Sequence, residues 1–119
     1  MNEAPILLAW ERLTTELMAE TRRFTASFRH NLTQYINQIL LDGLCLLSEL
    51  PYRRVSDKKA GLQRLDILIT QLRVLLRQCY AQKALGERKY SFHQSRINEI
   101  GKMLGGWLKY LDEQSAQQA

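Results

Sequence analysis

Arginine and lysine side chains in two groups are the residues of this sequence best suited to binding chemistry. The first group, after the first predicted helix, comprises Arg22, Arg23 and Arg29. The second group, near the second predicted connection, comprises Arg53, Arg54, Lys58, Lys59 and Arg64. Guanidinium forks and ammonium groups bind phosphate and carboxylate oxygens. We therefore predict that both groups contact nucleic acid or an acidic protein surface, the alternative being an ordinary solvated surface.

The distribution of charge along the chain favours binding to a polyanion. The 119 residues carry a net charge of +5, and between Arg53 and Lys109 thirteen basic residues stand against four acidic ones. The first twenty residues are instead acidic, with four glutamates and one arginine. A basic surface attracts polyanions by releasing their counterions and needs no groups that recognise bases. We expect RNA or DNA to be bound without sequence specificity.

Catalytic and metal-binding patterns are missing from the sequence. There are two histidines, and neither lies three residues after a carboxylate, as the ligands of di-metal helical bundles do. No nucleophile elbow, phosphate loop or Cys–His spacing occurs. His93 falls on the inward side of the fourth predicted helix and is interpreted as a core histidine. The sequence thus predicts a protein without enzymatic activity, metal or cofactor.

The elements that must position these side chains are all predicted to be helices. Apolar residues recur at spacings of three and four, and the two prolines, Pro5 and Pro51, suit a helix start and a helix end. The predicted helices span 5–23, 26–50, 57–84 and 87–112, followed by a frayed tail at 114–119. Short connections between long helices favour antiparallel neighbours. We predict one all-α domain over residues 1–119, an antiparallel up-down-up-down four-helix bundle.

The cytoplasm is the expected compartment of this chain. No apolar run reaches the roughly 18 residues that a membrane span needs, and the N-terminus does not resemble a secretion signal. Cys45 and Cys79 both fall within apolar helical stripes and have no Cys or His at ligand spacing. Both cysteines are therefore predicted to be reduced, buried thiols.

The outward faces of the last two helices carry apolar residues where charges are usual. With Leu65 to Leu76 facing inward, the third helix turns a face without any charge outward, and the fourth helix has a similar row. Together the two rows comprise Ile67, Val74, Ala81, Phe92, Met103 and Tyr110. Uncharged faces of this kind indicate an oligomer interface, although isolated apolar residues are also common on the surface of monomers.

Two glycines in the fourth helix suggest a close approach of another backbone. Gly101 and Gly105 lie one above the other on the same helical face, and glycine costs roughly 1 kcal/mol against alanine inside a helix. We predict close helix packing at both positions.

Two arginines at the edge of the third helix's inward stripe have two possible roles. Arg73 and Arg77 lie one turn apart on that helix. They either form ion pairs with acidic residues such as Glu99 or Asp66, within or between subunits, or bind phosphate.

Several parts of the sequence resemble one known family. The segments LDILITQLRVLLR at 65–77 and EIGKMLGGWLK at 99–109, with Tyr90 between them, are similar to the third and fourth helices of the accessory variability determinant (Avd) proteins of diversity-generating retroelements. Phe24 and Arg29 resemble a pattern that follows the family's first helix, but the Pro and Lys that come after the Phe in that family are absent here.

The resemblance implies an assembly and a set of partners. Avd proteins form a homopentameric barrel of four-helix bundles, which binds the retroelement's reverse transcriptase and nucleic acid (template RNA and cDNA) and supports mutagenic retrohoming. The first alternative is a related four-helix protein encoded by an intervening sequence of large-subunit ribosomal RNA. The second is a structural oligomer without a nucleic-acid partner. A neighbouring reverse transcriptase gene would favour the retroelement hypothesis, and a reading frame inside a ribosomal RNA gene would favour the first alternative.

Overall fold

Four long helices make up the structure, a computed structural model that describes residues 4–118. They are α1 (Ala4–Thr21), α2 (Gln34–Glu49), α3 (Val55–Ala81) and α4 (Glu87–Gln118). Short helical turns join some of them, and no strand occurs within the described residues. The all-α class predicted from the apolar spacing is therefore confirmed.

The connection from α1 to α2 is itself helical but irregular. A single turn at Ala26–Phe28 leads into a π-helical segment at Arg29–Thr33, which continues directly into α2. In a π-helix each N–H bonds to the carbonyl five residues back, so the turn is wider than an α-helical one. At its other end α2 passes into a 3-10 turn, Leu50–Tyr52, because Pro51 cannot donate a backbone hydrogen bond. The predicted helix at 26–50 is thus built from successive pieces of different helical type.

Neighbouring helices of the bundle run in opposite directions. On α1 and α4, Glu20 contacts Lys89 whereas Glu16 contacts Arg96, so the numbering rises along one helix as it falls along the other. Each helix packs against the next in the chain, and α1 also packs against α4, which closes the bundle. The α1–α2 and α3–α4 connections therefore lie at one end of a molecule 52 Å long, and the α2–α3 connection lies at the other.

The Trp10 side chain is a fully buried part of the core between α1 and α2. Its indole Nε1 donates a hydrogen bond to the Leu40 carbonyl oxygen at 2.8 Å, and its ring lies so close to Gly43 that an added Cβ would overlap it. Aliphatic side chains from all four helices fill the rest of the core, among them Leu13, Leu17, Ile36, Leu65, Leu72, Ile97, Leu104 and Leu111. Removing these apolar surfaces from water is the main stabilising contribution to the fold.

Some residues assigned to the inward stripes lie at the surface instead. The buried line of α2 passes through Gly43 and Leu47, which places Cys45 on the opposite side of the helix. Cys45 is exposed, so the prediction of a buried thiol is wrong for this residue. Cys79 is fully buried as predicted, and burial raises the pKa of its thiol to about 11.

Close packing at glycine occurs, but not where the sequence suggested it. A Cβ added to Gly105 would meet no atom within 4 Å, and one added to Gly101 would meet only Nη2 of Arg73, at 2.9 Å. The prediction of close helix packing is therefore wrong for Gly105 within this chain, and Gly101 is approached only by the flexible tip of a side chain. The glycines that core side chains press against are Gly43 and Gly61.

The end of α3 is formed by a residue that sequence patterns do not mark. The helix ends at Ala81 rather than at 84, and Lys83 adopts the left-handed conformation with φ of 65°. The Lys83 N–H bonds to the Tyr80 carbonyl and the Ala84 N–H to the Cys79 carbonyl, which is the Schellman pattern of a helix C-terminus. A lysine therefore takes the position that glycine usually fills.

The other helix ends differ modestly from prediction. Helix α1 ends at Thr21 rather than at 23, and α3 begins at Val55 rather than at 57. Helix α4 continues to Gln118, through the segment for which fraying was expected, because glutamine and alanine are good helix formers even without an apolar stripe. Ala119 lies outside the described residues.

Candidate nucleic-acid interface

The two basic groups lie at opposite ends of the bundle. The first cluster sits at the α1–α2 connection and in the π-helical segment, and consists of Arg22, Arg23 and Arg29. The second cluster sits at the α2–α3 connection and in the first half of α3, and consists of Arg53, Arg54, Lys58, Lys59 and Arg64. Because the helices are antiparallel and the molecule is 52 Å long, one chain does not bring the two clusters together.

The side chains of the first cluster are exposed and carry uncompensated charge. Arg22, Arg23 and Arg29 are all exposed, and none forms an ion pair with a described residue. Two of the three also border a cleft of about 420 Å³, lined by Thr21, Arg22, Arg29, Thr33 and Asn37. Unpaired guanidinium groups beside a cleft that no acidic residue lines are well placed to bind phosphate oxygens.

The second cluster is partly neutralised within the chain. Arg53 Nη2 lies 2.7 Å from Glu49 Oε2, and Lys59 Nζ lies 2.6 Å from Asp112 Oδ1. Its other members are the exposed Arg54 and Arg64 and the half-buried Lys58. Exposed ion pairs are weak, so these two do not prevent binding of a polyanion. Each ion pair must nevertheless break before its basic residue can contact a phosphate. The first cluster can therefore bind a polyanion without breaking an ion pair to a described residue, whereas Arg53 and Lys59 of the second cluster cannot.

Arg73 forms hydrogen bonds between α3 and α4, whereas Arg77 forms none with the described residues of α4. Arg73 Nη2 donates a hydrogen bond to Asn98 Oδ1 at 3.1 Å, and the Arg73 carbonyl oxygen accepts one from Gln94 Nε2 at 3.3 Å. Arg73 thus ties α3 to α4 through neutral groups rather than through the acidic residues considered from the sequence. Arg77 is exposed and forms no ion pair with a described residue.

A charged network that the sequence did not reveal joins α1 to α4. The His93 side chain is buried and its Nε2 lies 3.1 Å from Glu20 Oε1, while Lys89 Nζ lies 3.1 Å from Glu20 Oε2. One turn away, Arg96 Nε lies 3.4 Å from Glu16 Oε2, an ion pair without hydrogen-bond geometry. The prediction of His93 as a core histidine fits this position, since its hydrogen bond ties it to a carboxylate of the neighbouring helix.

The carboxyl group of Glu20 has a lowered pKa in this network. Burial by itself raises that pKa, but the hydrogen bonds and positive charges of His93 and Lys89 outweigh it, so the pKa falls below the ordinary value of 4.5. The only sequence pattern that pointed here was the recurrence of glutamates on α1 and of basic residues on α4. Contacts between residues more than seventy positions apart are not visible in such a pattern.

The two outward apolar rows are exposed in the single chain. Five of their large members, Ile67, Val74, Phe92, Met103 and Tyr110, are between 37% and 49% exposed, and Ala81 is exposed as well. Val74 also borders an open cleft of about 400 Å³ between α2 and α3, which Tyr35, Ile39 and Leu75 help to line. No charged side chain lines this cleft. These positions are compatible with the predicted interface, which the single chain does not test.

Two other kinds of site, a metal site and a membrane-spanning helix, have no candidate in the described part of the chain. Within residues 4–118, no three His, Cys, Asp or Glu side chains are grouped so that they could hold a metal ion. None of the helices in this part combines the length and the apolar character that crossing a bilayer requires.

The fold and surfaces together define a four-helix bundle protein with arginine-rich ends. The sequence profile of the bAvd-like family matches residues 7–111, nearly the whole bundle. The chain therefore belongs to the bAvd-like family, as the resemblance of 65–77 and 99–109 to Avd proteins indicated. This family consists of accessory, non-catalytic proteins, and membership suggests an accessory role in a diversity-generating retroelement. A comparison with curated proteins finds no match.

Proposed function

We propose that this protein is the accessory protein of a diversity-generating retroelement, binds the element's reverse transcriptase and nucleic acid, and thereby supports mutagenic retrohoming. The observation that carries the proposal is the first cluster, whose three arginines are exposed and unpaired within the described residues. A protein that needed these charges for its own stability would pair them with carboxylates. Membership of the bAvd-like family supports the proposal, in which template RNA, cDNA and a polymerase would be the partners.

The physical basis of the proposed binding is the release of counterions. Each arginine that contacts a phosphate displaces a condensed cation, so affinity depends steeply on salt and little on base sequence. Arg22 and Arg23 are adjacent at the end of α1, and Arg29 follows in the π-helical segment, so all three belong to one end of the bundle. The same surface suits an acidic patch on a polymerase, because carboxylates bind guanidinium groups in the same bidentate way.

The salt dependence of RNA binding tests this proposal. The logarithm of the affinity for single-stranded RNA should fall linearly with the logarithm of salt concentration, by about 0.7 per phosphate contact. Replacing Arg22, Arg23 and Arg29 together by alanine should reduce the slope by about 2, since three contacts are lost. Arg12→Ala, an exposed arginine in the acidic half of α1, is the matched control and should leave the slope unchanged. Fluorescence anisotropy at several salt concentrations measures both.

Two results would contradict the proposed nucleic-acid contact. One is binding that does not depend on salt, and the other is a slope that the triple variant leaves untouched. Co-purification with a reverse transcriptase encoded beside this protein, and its loss with the triple variant, tests the polymerase contact separately. Absence of any RNA or polymerase binding would favour a purely structural oligomer.

We further propose that the chain assembles through its outward apolar rows, with five subunits as the family resemblance implies. Support comes from the exposure of Ile67 and Val74 on an uncharged face that continues into the cleft between α2 and α3. A ring would repeat the first cluster around its axis. Several weak arginine surfaces would then act as one multivalent surface toward a long polyanion.

A charge placed in the apolar cleft tests the proposed assembly. Val74→Glu should dissociate the oligomer while leaving the helical circular dichroism signal intact, because an unpaired carboxylate is strongly unfavourable only when an interface buries it. Thr15→Glu, at an exposed position of α1, is the control and should not change the mass. Light scattering at micromolar concentration gives the mass of each variant. A monomeric wild-type protein would refute the proposed ring.

A further inference from the structure

A cleft lined by polar and charged residues lies where the end of α1 meets the π-helical segment. Its volume is about 420 Å³, enough for a small anion with part of the group that carries it. The residues around it are Thr21, Arg22, Arg29, Thr33 and Asn37, which include two cations and no acidic side chain. The net positive charge of the lining therefore favours an anionic occupant.

The cleft contains hydrogen-bond donors that the chain leaves unused. The Thr33 hydroxyl oxygen is buried and has no hydrogen-bond partner among the described residues. The Thr21 hydroxyl lies 3.2 Å from the Met18 carbonyl oxygen and 3.4 Å from Asn37 Oδ1, and the Asn37 amide nitrogen makes no bond to the described residues. Buried polar groups in folded proteins nearly always have partners, so the unpaired Thr33 hydroxyl marks a group that an ordered water or a ligand at the cleft would satisfy.

The π-helical segment arranges these donors on one side of the cleft. Arg29 and Thr33 are its first and last residues, and Asn37 follows four positions further on, one turn into α2. Segments of π-helix are uncommon and occur often at functional sites. Arg22 approaches from the end of α1, so the two guanidinium groups border the cleft from different elements.

We propose that this cleft binds a phosphate group, with the guanidinium groups of Arg22 and Arg29, the Thr33 hydroxyl and the Asn37 amide nitrogen as donors. A phosphate offers several acceptor oxygens, which matches two bidentate forks and two single donors. The inference deepens the proposed function, on which it rests for its natural ligand, because it assigns one particular phosphate contact to the first cluster. The phosphate comes from a nucleic-acid backbone or from a free phosphate compound.

Binding of inorganic phosphate to the purified protein tests the site without any nucleic acid. Isothermal titration calorimetry in a buffer of constant ionic strength should show saturable binding to the wild-type protein. Arg29→Gln should weaken it by about tenfold or more, because hydrogen bonds between charged groups are the strong ones. Thr33→Val, which keeps the shape and removes only the hydroxyl, should weaken it by about 2- to 10-fold.

Arg23→Gln is the matched control, because Arg23 belongs to the same cluster but does not line the cleft. It should leave phosphate affinity within about twofold of wild type while lowering RNA affinity in the way expected of any surface phosphate contact. Thermal melts of all variants establish that they are folded. Thr33→Val should melt at or above the wild-type temperature, since it removes a buried polar group that has no partner in the chain.

The outcomes separate the cleft from the broader proposal. Competition between a short single-stranded RNA and phosphate would support the cleft and identify a backbone phosphate as its ligand. Phosphate binding without RNA binding would also support the cleft, with a free phosphate compound as ligand, while the proposed nucleic-acid function fails. If the wild-type protein does not bind phosphate, or if Arg29→Gln and Thr33→Val bind it as the wild type does, the inference is overturned whatever the RNA result.

Discussion

Replacement of Trp10 by alanine should lower the free energy of unfolding by about 3–5 kcal/mol, the largest single effect expected for this chain. The Trp10 side chain is fully buried, and its Nε1 donates to the Leu40 carbonyl at 2.8 Å. The substitution therefore leaves a large cavity and removes a buried hydrogen bond. Chemical denaturation followed by circular dichroism measures the change, and Leu8→Ala, at a position 63% exposed on the same helix, should change stability by less than about 0.5 kcal/mol.

The close contact between the Trp10 ring and Gly43 leads to a second, linked prediction. Gly43→Ala should destabilise by about 1–3 kcal/mol, although alanine is the better helix former, because its Cβ would overlap the Trp10 indole. In a Trp10→Leu background the smaller side chain makes room, and the penalty should shrink. A double-mutant cycle measures this coupling. A Gly43→Ala protein as stable as wild type would show that the indole does not press against this backbone.

Glu20→Gln should lower the free energy of unfolding by about 1.5–3 kcal/mol at neutral pH, because it removes the charge that holds His93 and Lys89 between α1 and α4. The effect should depend on pH in a defined direction. The pKa of Glu20 is lowered in the folded state, so its contribution is fully present above the ordinary value of 4.5 and is lost as the pH falls through the folded-state pKa.

The stability difference between wild type and Glu20→Gln should therefore be greatest near neutral pH and shrink below about pH 4.5. Denaturation curves at a series of pH values measure it. Glu11→Gln, an exposed glutamate on α1, is the control and should show a small difference at every pH. A gap between wild type and Glu20→Gln that stays constant down to pH 3 would contradict the proposed role of the ionised carboxylate.

The fold was largely predictable because it depends on periodicity. Apolar residues spaced by three and four place the inward faces of all four helices, and Leu65, Leu72 and Leu104 are buried as that spacing requires. The same spacing does not fix the rotation of α2 about its own axis to better than a fraction of a turn, because α2 has apolar residues on more than one side. That is why Cys45 was assigned to the core and lies at the surface.

Packing between helices was not predictable to the same degree. Periodicity tells which residues share a face but not how near the next helix passes. The spacing therefore predicts packing at Gly105, which has open space around it in this chain. Gly61, by contrast, lies under Leu50, with 2.5 Å between an added Cβ and Leu50 Cδ2. Only the three-dimensional arrangement distinguishes these two glycines.

For the candidate site too, the sequence shows which residues are present but not which of them contact one another. The basic residues of both clusters are visible in the sequence, but their pairing is not, since Lys59 finds Asp112 in a distant part of the chain. The cleft beside Arg29 was missed as well, because Thr33 and Asn37 are ordinary polar helix residues until the π-helical segment and the end of α1 bring them to one cleft. Charge indicated the end of the bundle, and geometry identified the donors.

The π-helical segment Arg29–Thr33 also bears on how this region tolerates insertions and deletions. A π turn holds about one residue more than an α turn, so it behaves as an α-helix into which a single residue has been inserted. Deleting the exposed His30 would let the segment relax to an ordinary α-helix and leave the packing of α2 in place. Because the wide turn gives up the one residue that it holds in excess, the segment before the deletion would keep nearly the same orientation relative to α2. Arg29 would instead lie one position nearer in sequence to Thr33 and Asn37, so a one-residue change in length here alters the spacing of the donors around the cleft without altering the core.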